Sequence, residues 1–371
     1  MTEKISGRIV RPGAVVPGQV EVDGPTILSV SERGHASQDI IVPGFVDLHC
    51  HGGGGHTFTE GDPAAARAAA AFHRRHGTTT MLASLVSSPF ELMRDATAAY
   101  LPLVADGEIA GLHFEGPYLS QARCGAQNPA YLRDPSLAEL TELVKLGEGA
   151  VRMVTIAPEL AGALPAIEFL VGNGVIAALG HTDATYQQTL AGIAAGATVG
   201  THVCNGMRPT HHREPGPVVA LLDSPSIVCE LVADGIHLHE GMLRFAAHAA
   251  GPDRAALITD AMDAAGMPDG EYGLGGQEVT VADRVARLVR DGSIAGSTLT
   301  MDAAFRQAVA AGLDLPTVSA MASTTPARAL GLSDEVGALE AGLRADLVVL
   351  NPDLTVQRVM RAGAWIKPDH P

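Results

Sequence analysis

The sequence predicts an α/β fold: a (β/α)8 TIM-like barrel with a small β-sandwich domain built from both termini. Three observations carry that expectation. The middle of the chain alternates apolar runs with helix-forming stretches eight times over, as a barrel requires. The apolar runs lack strict alternation, as strands buried on both faces do. The first and last stretches, about forty residues each, read as short strands punctuated by glycine and proline. A doubly wound open sheet is the competing architecture, and the Gly-x-Gly-x-x-Gly turn that would favour it does not follow the first strand.

Element by element, the N-terminal strands are expected at Gly7 to Val10, Gly18 to Val22 and Ile27 to Val30, separated by Pro12-Gly13, Pro17-Gly18 and Gly24-Pro25. The barrel strands are expected at Ile40–Leu48, Thr78–Leu85, Ile109–Phe114, Val151–Ile156, Val175–Leu179, Ala197–Val203, Ile227–Val232 and Ala256–Thr259. Helices are expected between them, at Pro63–His76, Ser136–Leu146, Ala161–Asn173, Thr185–Ala195 and His239–Ala250. Near the end, Ala345 to Leu350 and Thr355 to Ala362 read as strands again. The implied organisation is residues 1–42 and 333–371 as two parts of one small β domain, with residues 43–332 as the barrel.

Composition bounds the function. The 371 residues are 46% hydrophobic and 18% charged, which suits a large core and excludes a disordered chain. A formal net charge of −16 makes a general nucleic-acid binder a poor fit. The four cysteines, Cys50, Cys124, Cys204 and Cys229, form no C-x-x-C pair, so neither a disulfide framework nor a thiolate zinc site is indicated. With no signal-like N-terminal run and no apolar stretch of spanning length, the expectation is a cytoplasmic protein with no membrane partner.

Barrel enzymes carry their chemistry at the C-terminal ends of strands. Here the first strand ends Asp47-Leu-His49-Cys-His51, the third His113-Phe-Glu115, the fifth Gly180-His181, the sixth Thr201-His202 and the eighth Thr259-Asp260. Histidines two apart on an extended segment project to one side and can share a metal. A single such histidine is ordinarily a pocket residue, Glu115 alone an ion-pair partner and Asp260 alone a helix cap. Together, in order at five strand ends, they read as a nitrogen/oxygen site for a divalent ion with a carboxylate beside it to act as base. Cys50 should face away and pack. His73, His76, His211, His212 and His248 are expected to be solvated, while His237 follows the seventh strand and can line the same mouth.

Pro43-Gly-Phe-Val-Asp-Leu-His49-Cys-His51-Gly resembles the opening signature of the amidohydrolase superfamily. Glu115-Gly-Pro-Tyr-Leu, Gly180-His181-Thr, His202-Val-Cys-Asn205-Gly206-Met, Arg213-Glu-Pro-Gly, Ala233-Asp-Gly-Ile-His237, Thr259-Asp260-Ala and Ala295-Gly-Ser297-Thr-Leu together resemble its N-acetylglucosamine-6-phosphate deacetylase family, from about Pro43 to Pro326. The resemblance implies hydrolysis of N-acetyl-D-glucosamine 6-phosphate to D-glucosamine 6-phosphate and acetate, in amino-sugar catabolism and cell-wall sugar recycling. Metal-bound hydroxide would be the nucleophile and Asp260 the acid/base. It implies Glu115, His181 and His202 as ligands of a principal metal site, with His49 and His51 completing a second that Glu115 can bridge. One or two divalent ions per subunit are implied, zinc first, with iron, cobalt, manganese, cadmium or nickel as alternatives.

The same resemblance implies that Asn205, Gly206 and Arg213 hold the sugar phosphate, with His237 nearby, in a homodimer that shares the phosphate site across its interface. Ile294, Ala295 and Gly296 would line the sugar, and Ala126 and Gln127 would face the acetyl group. Two positions depart from the family pattern: Cys124 stands where relatives usually have lysine, and Gln127 where some have histidine. Lysine occurs only at Lys4, Lys145 and Lys367, none placed to bridge two metals as a carboxylated lysine does in many amidohydrolase-type barrels, so that part would fall to Glu115. The alternatives are a deacetylase of another N-acyl amino-sugar phosphate such as the galactosamine epimer, a cyclic-amide hydrolase, or an inactive barrel retained as a binding protein.

Overall fold

The computed structural model describes residues 2–32 and 37–367. Eight parallel strands form one sheet in chain order: Phe45–Asp47, Thr78–Val86, Gly111–Glu115, Val151–Ile156, Ile176–Leu179, Val199–Gly200, Val228–Val232 and Ala255–Ile258. The first and eighth strands close the barrel without a regular ladder. The Asp260 N–H donates to the His49 carbonyl at 2.9 Å, and the Thr259 hydroxyl donates to Asp47 Oδ2 at 2.6 Å. Thr78–Val86 is buried along its whole length, which is why its residues, three threonines followed by Met-Leu-Ala-Ser-Leu-Val, show no polar/apolar alternation.

Helices cover the outside, and local chemistry sets their ends. The helix Pro63–Arg75 starts with Asp62 accepting from the Ala64 N–H at 2.8 Å and Pro63 in its first turn, where a missing N–H costs nothing. Its last turn holds Arg74 and Arg75, which complement the negative end of the helix dipole. The helix Tyr186–Ala194 starts with a reciprocal capping box between Thr185 and Gln188.

The terminal strands meet in a seven-stranded sheet, ordered Ala364–Trp365, Val356–Arg361, Leu347–Leu350, Ile40–Pro43, Thr2–Arg11, Ala14–Asp23 and Thr26–Glu32. One face encloses Ile9, Val20, Ile27, Ile41 and Leu347. The single strand expected over Ile40–Leu48 is therefore two. Ile40–Pro43 belongs to the terminal sheet, and Phe45–Asp47 opens the barrel. The break falls at Gly44, whose N–H turns to the Asp346 carbonyl at 2.9 Å and whose Cα lies so close to Thr79 that a Cβ would sit 2.3 Å from its hydroxyl.

A three-stranded antiparallel sheet, Gly270–Leu274, Gln277–Ala282 and Val285–Leu288, follows the eighth strand and was not anticipated. Its second turn places Asp283 and Arg284 at φ 50° and 65°. Hairpin turns of that shape usually announce themselves with Asn-Gly or Asp-Gly, which Asp-Arg does not. Among the described residues no helix is long and apolar enough to cross a membrane.

Candidate active site

Five strand ends deliver six side chains to one place. Glu115 Oε1 lies 2.8 Å from His202 Nε2, 3.1 Å from His181 Nε2 and 3.6 Å from His49 Nε2. Glu115 Oε2 lies 3.3 Å from His51 Nε2. Asp260 Oδ1 is 3.4 Å from His51 Nε2 and 3.6 Å from His49 Nε2. These atoms fall into two buried groups with metal-ligand spacing, Glu115–His181–His202 and His49–His51–Asp260.

The hydrogen bonds behind the rings decide which nitrogen faces inward. His51 Nδ1 meets the Ser84 carbonyl at 3.1 Å, His181 Nδ1 meets the Arg123 carbonyl at 2.7 Å, and His49 Nδ1 meets Glu230 Oε2 at 3.2 Å. Each partner only accepts, so each Nδ1 carries the proton and each Nε2 turns a bare lone pair to the centre. His49 and His51 thus oppose two unprotonated nitrogens at 2.9 Å, an arrangement a cation between carboxylates reconciles. The donor set fits a divalent metal.

Charge within the cluster is mutual. Without a bound cation, protons on the rings would take its place: burial opposes ionisation of Glu115, and protonated His49, His181 and His202 would hold it well below the usual carboxylate range. Burial likewise opposes the Asp260 charge, and protonated His49, His51 and His202 would overcome it. Asp47, at the barrel seam, is the opposite case. Burial drives it up to about 7, although Thr259 and the His49 N–H hydrogen-bond to it.

The backbone is strained here and little elsewhere in the barrel. His181, His202, Cys204 and Asp260 adopt φ of 44°, 27°, 85° and 50°. Left-handed conformations at non-glycine residues are costly and cluster at functional sites. Two glycines make room for the His181 ring. A Cβ on Gly206, at φ 59°, would sit 2.7 Å from His181 Nδ1, and one on Gly125, at φ 54°, 3.2 Å from Cε1.

Above the cluster opens a cavity of about 270 Å3, with His51, Glu115, His181, His202 and Asp260 at its floor. Ala126, Gln127, Asn205, Gly206, His237, Ile294 and Gly296 line it, together with Val86, Leu274 and Ser293. Leu274 comes from the three-stranded sheet, which therefore roofs part of the site. Gln127 accepts from the Ser87 N–H at 2.7 Å and donates to Glu115 Oε2 at 2.5 Å. His237 Nδ1 is 2.6 Å from Asp234 Oδ2, and although burial opposes it, this contact raises the imidazole above its ordinary range.

Three expected site residues stand apart from this lining. Ala295 is buried under the three-stranded sheet with Met262 and Leu288. Arg213 is exposed, its Nη1 2.8 Å from His212 Nε2. Cys124 is half-buried, its carbonyl accepting from the Gln127 N–H at 2.9 Å. Cys50 is buried, with its thiol 3.4 Å from the Gly52 carbonyl.

One expectation is corrected. His73, expected to be solvated, has no exposure at all. Its Nε2 donates to the Gly52 carbonyl at 2.9 Å beneath the loop that follows His51, because the helix turns its Ala66, Ala69, Ala70 and His73 face to the barrel. Glu230, which meets His49 Nδ1 and the His202 N–H, is not among the expected site residues. A carboxylate inside the apolar run Ile227-Val-Cys-Glu-Leu-Val232 is its signal, since a strand buried on both faces admits a charge only for a reason.

The fold and its convergent strand-end ligands define a metal-dependent hydrolase barrel, and the amidohydrolase family model matches residues 40–366; the chain belongs to that family. Within it, the chain is 44% identical to N-acetyl-D-glucosamine-6-phosphate deacetylase from Mycobacterium smegmatis, solved as a mutant in complex with N-acetyl-D-glucosamine-6-phosphate, with a TM-score of 0.96 over 98% of this chain and 99% of that one. It is 36% identical to N-acetylglucosamine-6-phosphate deacetylase of Lysinibacillus sphaericus, over 88% of this chain and 85% of the relative. It is 37% identical to N-acetylgalactosamine-6-phosphate deacetylase of Escherichia coli O157:H7, over 94% and 93% respectively.

Proposed function

We propose that this chain is a divalent-metal-dependent deacetylase that hydrolyses N-acetyl-D-glucosamine 6-phosphate to D-glucosamine 6-phosphate and acetate. The observation that carries the reading is the pair of ligand groups joined by Glu115 beneath a cavity lined by both polar and apolar residues, in a chain similar over nearly its whole length to enzymes of that name. We assign Glu115, His181 and His202 to one metal and His49 and His51 to a second, with Glu115 reaching both, and we take the metal to be zinc. When bound, a divalent ion supplies Lewis acidity and makes water acidic enough to attack near neutral pH.

The chain's own residues do the rest. Asp260, ionised among the imidazoles, takes the proton of the attacking water and returns it to the amine nitrogen as the C–N bond breaks. Gln127 gives one amide hydrogen to Glu115 and leaves the other for the acetyl oxygen; a donor of this kind contributes about 3 kcal/mol to an oxyanion. Asn205, Gly206 and His237 form the end of the cavity assigned to the sugar phosphate, and anchoring there holds the amide over the metal ligands. The exposure of Arg213 outside the cavity lining supports a homodimer in which the phosphate is bound across the interface. Four free thiols support a cytoplasmic location. We read residues 43–332 as the catalytic unit and residues 1–42 with 333–371 as its β companion.

The test pairs metal analysis with acetate release. Asp260→Asn should lose turnover by at least about 10²-fold, the lower range for a positioned acid/base, while keeping the metal at Glu115, His181 and His202; a near-normal rate would remove Asp260 from the mechanism. The similarity to the E. coli relative gives a second reading, preference for the galactosamine epimer. Matched kcat/KM on the two epimers decides between them.

A further inference from the structure

Glu230 lies midway along the seventh barrel strand, Val228–Val232, with no solvent exposure. Its neighbour Cys229 points outward, its thiol directed at the Leu221 carbonyl of a covering helix, so Glu230 points into the barrel. One oxygen, Oε2, receives two contacts at 3.2 Å: the Nδ1–H of His49 and the main-chain N–H of His202. The other, Oε1, has no partner. Among the described residues its one ion-pair contact is His49. A buried carboxylate without a compensating cation costs several kcal/mol, so its retention needs a positive charge close by.

The two contacts reach both ligand groups. His49 belongs with His51 and Asp260, and His202 with Glu115 and His181. For His49 the contact is decisive, because an imidazole has two neutral tautomers and only one turns a bare Nε2 toward the metals. For His202, at φ 27°, Glu230 satisfies a main-chain N–H from a left-handed residue and makes no contact with the ring.

We propose that Glu230 is a positioning residue that fixes His49 in its Nδ1–H tautomer and thereby determines whether this chain retains a metal at the His49–His51–Asp260 group. The inference rests on the two-metal reading above. The arrangement is a carboxylate–histidine–metal relay, whose outer member is typically worth 10–100-fold in metal affinity.

The experiment strips the protein with chelator and titrates Zn2+ into wild type, Glu230→Gln and Glu230→Met, reading each equivalent by competition with a chromophoric chelator. Wild type is expected to take two equivalents per chain. In Glu230→Met the second equivalent should weaken by about 10–100-fold and the first by much less. Glu230→Gln, nearly isosteric and still able to accept from Nδ1, should fall between, and it carries the test if the methionine variant fails to fold. Imidazole 15N shifts of His49 should report an Nδ1–H tautomer in wild type and its loss in Glu230→Met. Wild-type affinity for the second equivalent in both variants overturns the inference, as does equal weakening of both equivalents. Uptake of a single equivalent by wild type overturns the two-metal reading and the inference with it.

Discussion

Acidification should expose the burial of His73. The imidazole is fully enclosed, its Nε2–H is spent on the Gly52 carbonyl, and its Nδ1 has no partner, so a second proton would be buried with nothing to accept it. Burial therefore lowers its pKa from 6.5 to about 4. The unfolded chain takes up this proton near pH 6.5 and the folded chain only near pH 4. Between those values the unfolded state binds more protons, so stability is fully present above the unfolded pKa and is lost as pH falls. Across a gap of about 2.5 pH units, at 1.36 kcal/mol per unit, the loss is about 3 kcal/mol. That is a large share of the roughly 5–15 kcal/mol that holds a domain together. His73→Gln keeps an N–H for Gly52 and has no proton to gain. Urea unfolding of the two proteins from pH 7 to pH 4 should show the wild-type advantage shrinking by about 3 kcal/mol. Other titrating groups are common to both and cancel. Parallel stability curves would refute the reasoning.

Three further outcomes are expected. Gly206→Ala forces φ 59° on a residue with a Cβ and drives that atom against His181 Nδ1, so the first metal equivalent should weaken by about 10–100-fold in chelator competition. Asp47→Ala strands the Thr259 hydroxyl, the Thr259 N–H and the His49 N–H at the barrel seam, and should cost about 3–5 kcal/mol in denaturant unfolding, as losing several buried hydrogen bonds does. Arg213→Ala should raise KM for the phosphorylated sugar far more than for unphosphorylated N-acetylglucosamine; equal effects would remove Arg213 from phosphate binding.

The sequence discloses the ligands more readily than what supports them. His49, His51, Glu115, His181, His202 and Asp260 are legible because a barrel puts each at the end of an apolar run, where a polar residue stands out. Glu230 performs its contact from inside such a run, and only the fold brings its strand beside His49. His73 sits among alanines and arginines on a helix whose inward face cannot be assigned until the barrel is in place. The division of Ile40–Leu48 rests on a close approach between Gly44 and Thr79, a tertiary contact with no local signature. In the three-stranded sheet the first turn, Gly275-Gly276, carries a hairpin signature, but the second uses Asp283 and Arg284 in conformations normally left to glycine or asparagine, so the third strand has no local signal.

The barrel seam also sets the order in which the two ligand groups can be completed during synthesis. Asp47 and Thr259, whose hydrogen bond joins the first strand to the eighth, are 212 residues apart. At about 5–20 residues per second, roughly 10–40 s separate the emergence of the His49–His51 arm from that of Asp260. Throughout that interval a growing chain offers a metal two imidazoles but not the carboxylate that completes the group. Full ligation of the His49–His51–Asp260 group becomes available only after the last barrel strand docks, so metal loading at that group follows barrel closure, whereas Glu115, His181 and His202 are all present earlier in synthesis.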